Sequence, residues 1–219
     1  MTAVKICGLT RAEDAMFAAE CGATYVGVIL AGGPRLLDVD RASHVLRALR
    51  HGVRRVAVFD AQSESEIIAI AQALALDVIQ LHGTTSTEAI ARLIAATGCV
   101  VWPVIRLDGS TLPLDTVCLA AAAGWLVLDA KVPGQLGGTG VALDWSGLVS
   151  QLATLRSTIP LVRIVLAGGL RPENVDKAIR LLAPDVVDVS SGVEIKPGVK
   201  NPEAVQQFVS AVHAAMESR

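Results

Sequence analysis

Two ionisable side chains end short apolar runs, a cysteine near the start of the chain and an aspartate past its middle. Cys7 closes a run that begins at Val4, and Asp129 closes one that begins at Leu126. Residues typical of loops follow each of them at once. A thiol and a carboxyl can serve as base and acid, so a fold that brings these two strand ends together would favour proton transfer.

A lysine is expected beneath the thiol. Because side chains alternate along a strand, Lys5 and Cys7 point the same way. Burying an unpaired ammonium costs far more free energy than a hydrogen bond recovers. We therefore expect Lys5 to pair with Asp188, on the last strand, which would lie beside the first in a closed barrel. We also expect Lys5 to lower the pKa of Cys7 below the reference value of about 8.5, which would make the thiol a usable base.

Both groups also have a plainer interpretation. Cys7 could be a small buried hydrophobe, the usual fate of a free cysteine. We expect that fate for the other cysteines of the chain, Cys21, Cys99 and Cys118. Asp129 could cap a turn, but it precedes a glycine-rich loop at 131–140 that could close over a ligand, which favours catalytic use.

Alternating strands and helices are predicted to position these groups. Eight short strand-like runs are centred on 4–6, 25–29, 55–59, 78–81, 100–105, 125–128, 163–166 and 186–189. Apolar residues at helical spacing predict helices over 11–21, 39–50, 64–76, 87–96, 145–157, 172–182 and 202–216, with a less regular one near 114–123. Asp144 and Asn201 are the expected N-caps of the helices that follow them.

The alternation predicts an α/β fold. A doubly wound open sheet would also alternate, but eight repeats without a second domain favour a closed barrel. We therefore expect residues 1–219 to form a single (β/α)8 TIM barrel domain of the phosphate-binding type. In that fold the functional groups sit where the strands end.

Further candidate ligands follow other predicted strands. Gly168 and Gly169, and then Ser191 and Gly192, lie in glycine-rich turns after the last two strands, where barrels often bind phosphate through backbone N–H groups. Ordinary tight turns are the alternative. Arg35 could fork onto a carboxylate or be a solvated loop arginine, and His82 and Asp188 are further candidates for substrate binding.

Composition narrows the possible partners. The chain has 219 residues, 52% hydrophobic and only 3% aromatic, and a net charge of -2 with dispersed basic residues, which excludes a nucleic-acid surface. Its apolar stretches are too interrupted to span a membrane and no signal pattern is evident, so we expect a cytoplasmic protein acting on a small molecule. Because its cysteines and histidines lack zinc-ligand spacing, no metal is expected.

Seven short motifs lie around the predicted strand ends. They are Lys5-Ile6-Cys7-Gly8-Leu9-Thr10, Gly33-Pro34-Arg35, Gln80-Leu81-His82-Gly83, Leu128-Asp129, Gly137-Gly138-Thr139-Gly140, Leu166-Ala167-Gly168-Gly169-Leu170 and Asp188-Val189-Ser190-Ser191-Gly192-Val193-Glu194. In this order and spacing they closely resemble the motifs of the phosphoribosylanthranilate isomerase family of tryptophan biosynthesis. The resemblance runs from Lys5 to about Pro202 and covers every predicted strand.

The resemblance implies a (β/α)8 barrel, monomeric or homodimeric, that needs no cofactor. The family converts N-(5-phosphoribosyl)anthranilate to 1-(2-carboxyphenylamino)-1-deoxyribulose 5-phosphate by an Amadori rearrangement, an aldose-ketose isomerisation. By this resemblance Asp129 would be the general acid and Cys7 the general base. Arg35 would hold the anthranilate carboxylate, and the backbone of the two glycine-rich turns, Gly168, Gly169, Ser191 and Gly192, would hold the phosphate.

The chain departs from the family pattern in two places. The loop at 30–35 is shorter and richer in glycine than usual, and Asn201 stands where an aspartate is common. Among alternatives, the related isomerase of histidine biosynthesis has an aspartate where Cys7 stands, and a pentulose-phosphate epimerase would need converging metal ligands. A barrel that binds a phosphosugar without converting it is the non-enzymatic alternative.

Overall fold

Eight parallel strands close into a barrel. The computed structural model describes residues 1–49, 51–130 and 144–217. The barrel strands are β1 (Ala3–Ile6), β2 (Tyr25–Ile29), β3 (Arg54–Phe59), β4 (Val78–Leu81), β5 (Val100–Leu107), β6 (Trp125–Ala130), β7 (Arg163–Leu166) and β8 (Val186–Val189). Strand order around the barrel follows the chain, with β8 beside β1. The predicted (β/α)8 barrel is confirmed.

Helices follow the strands and cover the outside of the barrel. They are α1 (Ala12–Glu20), α2 (Val39–Arg47), α3 (Glu64–Ala73), α4 (Thr87–Thr97), α5 (Thr116–Ala123), α6 (Trp145–Thr158), α7 (Val175–Leu182) and α8 (Pro202–Glu217). Their buried faces pack with outward-facing strand residues in one large apolar cluster. Phe208 of α8 is fully buried in that cluster, whereas its neighbour Gln207 is exposed.

A second apolar layer fills the amino-terminal half of the barrel interior. Its centre is Trp102 of β5, which is fully buried. The indole ring lies 5.0 Å from the ring of Tyr25 and 5.2 Å from that of Trp125, between centroids. Because this apolar layer fills the amino-terminal half, polar side chains inside the barrel are confined to the carboxyl end of the strands.

Local side-chain bonds explain where several helices begin. Asp144 accepts from Gly147 N, and Asn201 accepts from Glu203 N and Ala204 N, so both predicted N-caps are confirmed. Helix α7 begins later than the predicted 172. The side chain of Asn174 bonds instead to the preceding loop, accepting from Arg171 N and donating to Gly169 O, which competes with an earlier helical turn.

An unpredicted hairpin lies between β8 and α8. A 3-10 turn, η1 (Ser191–Val193), leads into β9 (Glu194–Lys196), which pairs antiparallel with β10 (Val199–Lys200). These strands are too short to produce a detectable alternation of apolar and polar residues. The hairpin places Glu194 and Lys200 beside the carboxyl end of the barrel.

The cysteines differ in burial from the prediction. Cys99 is buried as expected, but Cys21 is half-buried and Cys118 is exposed on α5, because its helix turns that position to solvent. Within the described ranges, no helix is both long and apolar enough to cross a membrane. The same ranges hold no group of three or more His, Cys, Asp or Glu side chains that could bind a metal ion.

Replacing Phe208 by alanine is expected to lower the free energy of unfolding by about 3–5 kcal/mol, because a fully buried ring leaves a cavity between α8 and the barrel. The matched Gln207→Ala change on the exposed face of the same helix is expected to alter it by less than about 0.5 kcal/mol. Urea unfolding followed by tryptophan fluorescence measures both. Equal effects of the two changes would contradict the packing described for α8.

Candidate active site

A cavity opens at the carboxyl ends of the barrel strands. Because all the strands are parallel, their last residues meet at this one end. Every site residue predicted from the sequence lines the cavity, namely Cys7, Arg35, His82, Asp129, Gly168, Gly169, Asp188, Ser191 and Gly192. The structure thus brings the predicted residues together, while their roles remain predictions.

Cys7 lies directly after β1 with a buried side chain. Its backbone N donates to Val189 O at 2.8 Å, which fixes it against β8. Gly27 of β2 supplies the space for the thiol, since a Cβ at that position would lie 3.0 Å from the Cys7 Sγ and 3.1 Å from the Lys5 Cε. Any side chain at Gly27 would therefore press on both groups.

A buried ion pair lies beneath the thiol. Lys5 is fully buried, and its Nζ donates to Asp188 Oδ2 at 2.6 Å and to Gln80 Oε1 at 3.0 Å. The predicted pairing of Lys5 with Asp188 is confirmed. Among the described residues, the second oxygen of Asp188, Oδ1, has no hydrogen-bond partner, although Asp188 lines the cavity. That oxygen is therefore available to a ligand.

The predicted lowering of the thiol pKa is wrong. Burial raises the pKa of Cys7 above its ordinary value; the charge of Lys5 lowers it by less, and the Asp188 carboxylate adds to the rise. Lys5 has a limited effect because its charge is largely balanced by Asp188 at 2.6 Å. Burial alone would lower the pKa of Lys5, but Asp188 and Cys7 raise it above its ordinary value, so Lys5 stays charged.

Asp129 is held near the end of β6. Its Oδ1 accepts from the backbone N of Ala130 at 2.9 Å, and its Oδ2 lies 3.4 Å from the Nε2 of His82. Gly168 packs closely against this turn, since a Cβ there would lie 2.7 Å from Ala130 N and 3.1 Å from Asp129 Oδ1. One carboxyl oxygen is thus fixed by the backbone, and the other faces an imidazole that can share a proton.

One wall of the cavity is apolar. Ile29, Ala31 and Val58 pack with Cys7 in a small cluster and line the cavity beside it. The aliphatic side chains of Ile29 and Val58 can contact the flat face of an aromatic ring. This wall can therefore receive an apolar part of a ligand next to the thiol.

The two glycine-rich turns form the opposite wall. Gly168 and Gly169 have φ of 83° and 67°, in the left-handed region that favours glycine. A Cβ at Gly192 would overlap the backbone oxygen of Leu170, so the turn after β8 packs directly on the turn after β7. Bare backbone from both turns lines the cavity, an arrangement suited to an anion.

Arg35 is buried rather than solvated. Its guanidinium forms a bidentate pair with Glu194, with the Nη2 2.6 Å from the Oε2. Glu194 also accepts from Lys200 Nζ at 2.8 Å, so two cations share one carboxylate. The Glu194 carboxylate raises the pKa of Arg35 above its ordinary value.

Sequence reasoning missed four residues that shape the site: Gly27, Gln80, Glu194 and Lys200. Gln80 follows the same alternation as His82, which could have placed it one layer below. Gly27 is an isolated glycine inside a strand pattern, a signal of close approach by another group. The sequence carried no comparable signal for the pairing of Glu194 and Lys200 with Arg35. The predicted lid over 131–140 lies outside the described residues.

Taken together, the cavity can bind a doubly anionic ligand and move protons on it. The backbone turns suit a phosphate, and the surplus positive charge beside Arg35 suits a second anion. A thiol, a carboxyl and an imidazole line the same partly enclosed cavity. Such groups transfer protons to and from carbon and oxygen in general acid and base catalysis.

Comparison with known proteins identifies similar chains. A family model described as N-(5'phosphoribosyl)anthranilate (PRA) isomerase matches residues 4–211. The curated N-(5'-phosphoribosyl)anthranilate isomerase of Pseudomonas aeruginosa (strain UCBPP-PA14) is 39% identical over 217 residues, covering 96% of this chain and 95% of that protein.

Solved structures agree with this comparison. The crystal structure of phosphoribosyl anthranilate isomerase from Thermotoga maritima has a TM-score of 0.82 and 30% identity, covering 98% of this chain and 100% of that one. A phosphoribosyl anthranilate isomerase solved with reduced 1-(o-carboxyphenylamino)-1-deoxyribulose 5-phosphate has a TM-score of 0.79 and 29% identity, with coverage of 98% and 100%.

The pKa of Cys7 is expected to lie above that of an ordinary free thiol, because burial outweighs the effect of Lys5. Lys5→Met is expected to raise it further, and Lys177→Met, which removes an exposed lysine of α7, is expected to leave it unchanged. The pH dependence of iodoacetamide alkylation, read for the Cys7 peptide by mass spectrometry, measures it. A midpoint for Cys7 below that of the exposed Cys118 would show that burial does not dominate.

Proposed function

This chain belongs to the N-(5'-phosphoribosyl)anthranilate isomerase family, and from that premise we propose how its residues carry the reaction. The protein isomerises phosphoribosylanthranilate in tryptophan biosynthesis. The observation that supports the assignment of roles is that Cys7, Asp129 and both candidate anion sites line one cavity.

Asp129 is proposed to act first, as the general acid. It donates a proton to the ring oxygen of the ribose, the bond from C1 to that oxygen breaks, and the nitrogen lone pair forms a Schiff base at C1. The contact between Ala130 N and Asp129 Oδ1 supports this role because it leaves Oδ2 toward His82. His82 can then return a proton to the carboxyl between turnovers.

Cys7 is proposed to act second, as the general base. Its thiolate removes the proton from C2, and the bonding electrons form the double bond of an enolamine between C1 and C2. Ketonisation then places a proton on C1 and leaves the carbonyl at C2. Burial raises the pKa of Cys7, and Lys5 opposes part of that rise, so Lys5 favours the thiolate that the base requires.

The reaction is an intramolecular oxidation and reduction of the aldose-ketose type. C1 gains a hydrogen and is reduced while C2 loses one and is oxidised, so the electrons balance within the substrate. No external electron acceptor takes part in that balance. We therefore propose a reaction without a cofactor, driven by acid and base groups of the protein alone.

Binding energy is proposed to come from both ends of the substrate. Arg35 holds the anthranilate carboxylate, with the apolar wall of Ile29, Ala31 and Val58 against the ring. The backbone at Gly168, Gly169, Ser191 and Gly192 holds the phosphate, and Asp188 Oδ1 accepts from a sugar hydroxyl. Anchoring both anions fixes C1 and C2 between the acid and the base.

The setting of the enzyme is proposed from the same premise. We expect residues 1–219 to form one domain that works in the cytoplasm as a monomer or a homodimer. Its partner is the small-molecule substrate, without nucleic acid or membrane.

Cys7→Ser and Asp129→Asn are each expected to lower kcat by two or more orders of magnitude, since that is about the usual contribution of a general acid or base. The loss of phosphoribosylanthranilate fluorescence, with the substrate generated in situ, measures turnover. Cys118→Ser and Asp176→Asn are the matched controls, because both change exposed helix residues in the same chemical way.

The outcomes separate the alternatives. Full activity in a folded Cys7→Ser protein would remove the proposed base while keeping the isomerase. A wild type that binds the phosphosugar but never converts it would instead favour the non-enzymatic barrel.

A further inference from the structure

Arg35 uses only one edge of its guanidinium within the protein. Nε donates to Glu194 Oε1 at 2.9 Å and to Oε2 at 3.1 Å, and Nη2 donates to Oε2 at 2.6 Å. A guanidinium has five N–H groups, so its end edge, formed by Nη1 and the other N–H of Nη2, remains. In the described part of the chain, Nη1 makes no hydrogen bond, although Arg35 lines the cavity.

Glu194 is itself held firmly. Its side chain is 4% exposed, and that of Lys200 only 2%. Besides Arg35, it accepts from Lys200 Nζ at 2.8 Å and from Gly198 N at 3.3 Å. A buried carboxylate with this many donors has little freedom to move, so it can fix whatever pairs with it.

The same cluster touches the proposed phosphate site. Lys200 Nζ also donates to Ser190 O at 3.0 Å, and Ser190 immediately precedes the turn that contains Ser191 and Gly192. The backbone N of Lys200 donates to Asp14 on α1 at 3.1 Å, which ties the hairpin to the barrel. The position of Glu194 is therefore set by the hairpin and by the turn beside the phosphate site.

The guanidinium of Arg35 is located by contacts beyond its own loop. The loop backbone is itself paired, with Leu37 N donating to Ile29 O at 2.9 Å, but that bond does not fix the direction of the long Arg35 side chain. The side chain crosses the β1 loop at Gly8, where a Cβ would come 2.6 Å from the Arg35 Cδ. Its guanidinium is thus located by Glu194 at one end and by the space above Gly8 at the other.

We propose that Glu194 is a positioning residue for substrate recognition, which holds the side edge of Arg35 so that the end edge faces the anthranilate carboxylate. The proposal rests on the proposed function, because it takes Arg35 to be the carboxylate ligand. Arg35 and Lys200 both pair with the Glu194 carboxylate, so the cluster carries a net positive charge that can attract the substrate carboxylate. Glu194 does not touch the substrate and acts through Arg35.

A matched pair of ligands tests this role. The first is reduced 1-(o-carboxyphenylamino)-1-deoxyribulose 5-phosphate, and the second is the same molecule without the carboxylate. Glu194→Gln is expected to weaken binding of the first about tenfold or more and of the second by less than about twofold, because charge-assisted bonds to the carboxylate are lost. Isothermal titration calorimetry measures the four dissociation constants.

Glu64→Gln is the control. Glu64 pairs with Arg92 through the same two nitrogens, at 2.7 and 2.8 Å, but on the exposed surface of α3. It is expected to change neither constant. Should Glu194→Gln fail to fold, Glu194→Asp is measured instead. It keeps the negative charge but shortens the side chain by one methylene, so the same selective weakening of the carboxylate ligand is expected.

Equal weakening of both ligands would overturn the proposal, because it would indicate a general disturbance of the cavity. Tighter binding of the carboxylate ligand would also overturn it, since Glu194 would then be a competitor for Arg35. Turnover by the wild type is measured separately. If the wild type converts substrate but Glu194→Gln leaves the ligand preference unchanged, only this inference is refuted. If the wild type also fails to convert substrate, both proposals are refuted.

Discussion

Inside the barrel an ammonium and a carboxylate lie 2.6 Å apart, at Lys5 and Asp188. Lys5 is fully buried and the side chain of Asp188 is only 7% exposed, so removing one partner of the pair is expected to cost about 3–5 kcal/mol because it leaves an unpaired buried charge. The two residues are directly opposite in the register of β1 and β8, the strands that close the barrel. A slip of one strand by one residue would turn its member of the pair to the other face, so the ion pair fixes closure and, with it, the position of Cys7 one layer above.

The same pair limits the chemistry of the thiol. An ammonium whose charge is balanced at short range cannot stabilise a thiolate as a free one would, and so burial decides the direction of the pKa of Cys7. The structure therefore favours a neutral thiol in the ligand-free protein, because Lys5 and Asp188 already balance each other's charge. Around Arg35 the balance is different, because two cations share Glu194. The positive surplus of the cavity therefore lies with Arg35 and Lys200.

Much of this site could be predicted because barrel geometry is regular. The alternation of side chains placed Lys5 below Cys7, and the parallel strands brought Asp129 and Asp188 to the same end. The features that the sequence did not predict either depend on a balance of opposing energies or lie in short segments. The pKa of Cys7 reflects desolvation against two opposite charges, which no sequence pattern reports. The hairpin that carries Glu194 has strands of three and two residues, below the length at which periodicity is visible.

The same division applies to Arg35, which ends the loop at 30–35. A long arginine side chain can adopt many rotamers, so its backbone position alone does not set the direction of its guanidinium. In this protein the guanidinium is held from its far end by Glu194, and Glu194 is held by Lys200 and the β9–β10 hairpin. The loop then only has to deliver the side chain across Gly8. The direction of the guanidinium is therefore set by the hairpin, an element distant in sequence from the loop that carries the arginine.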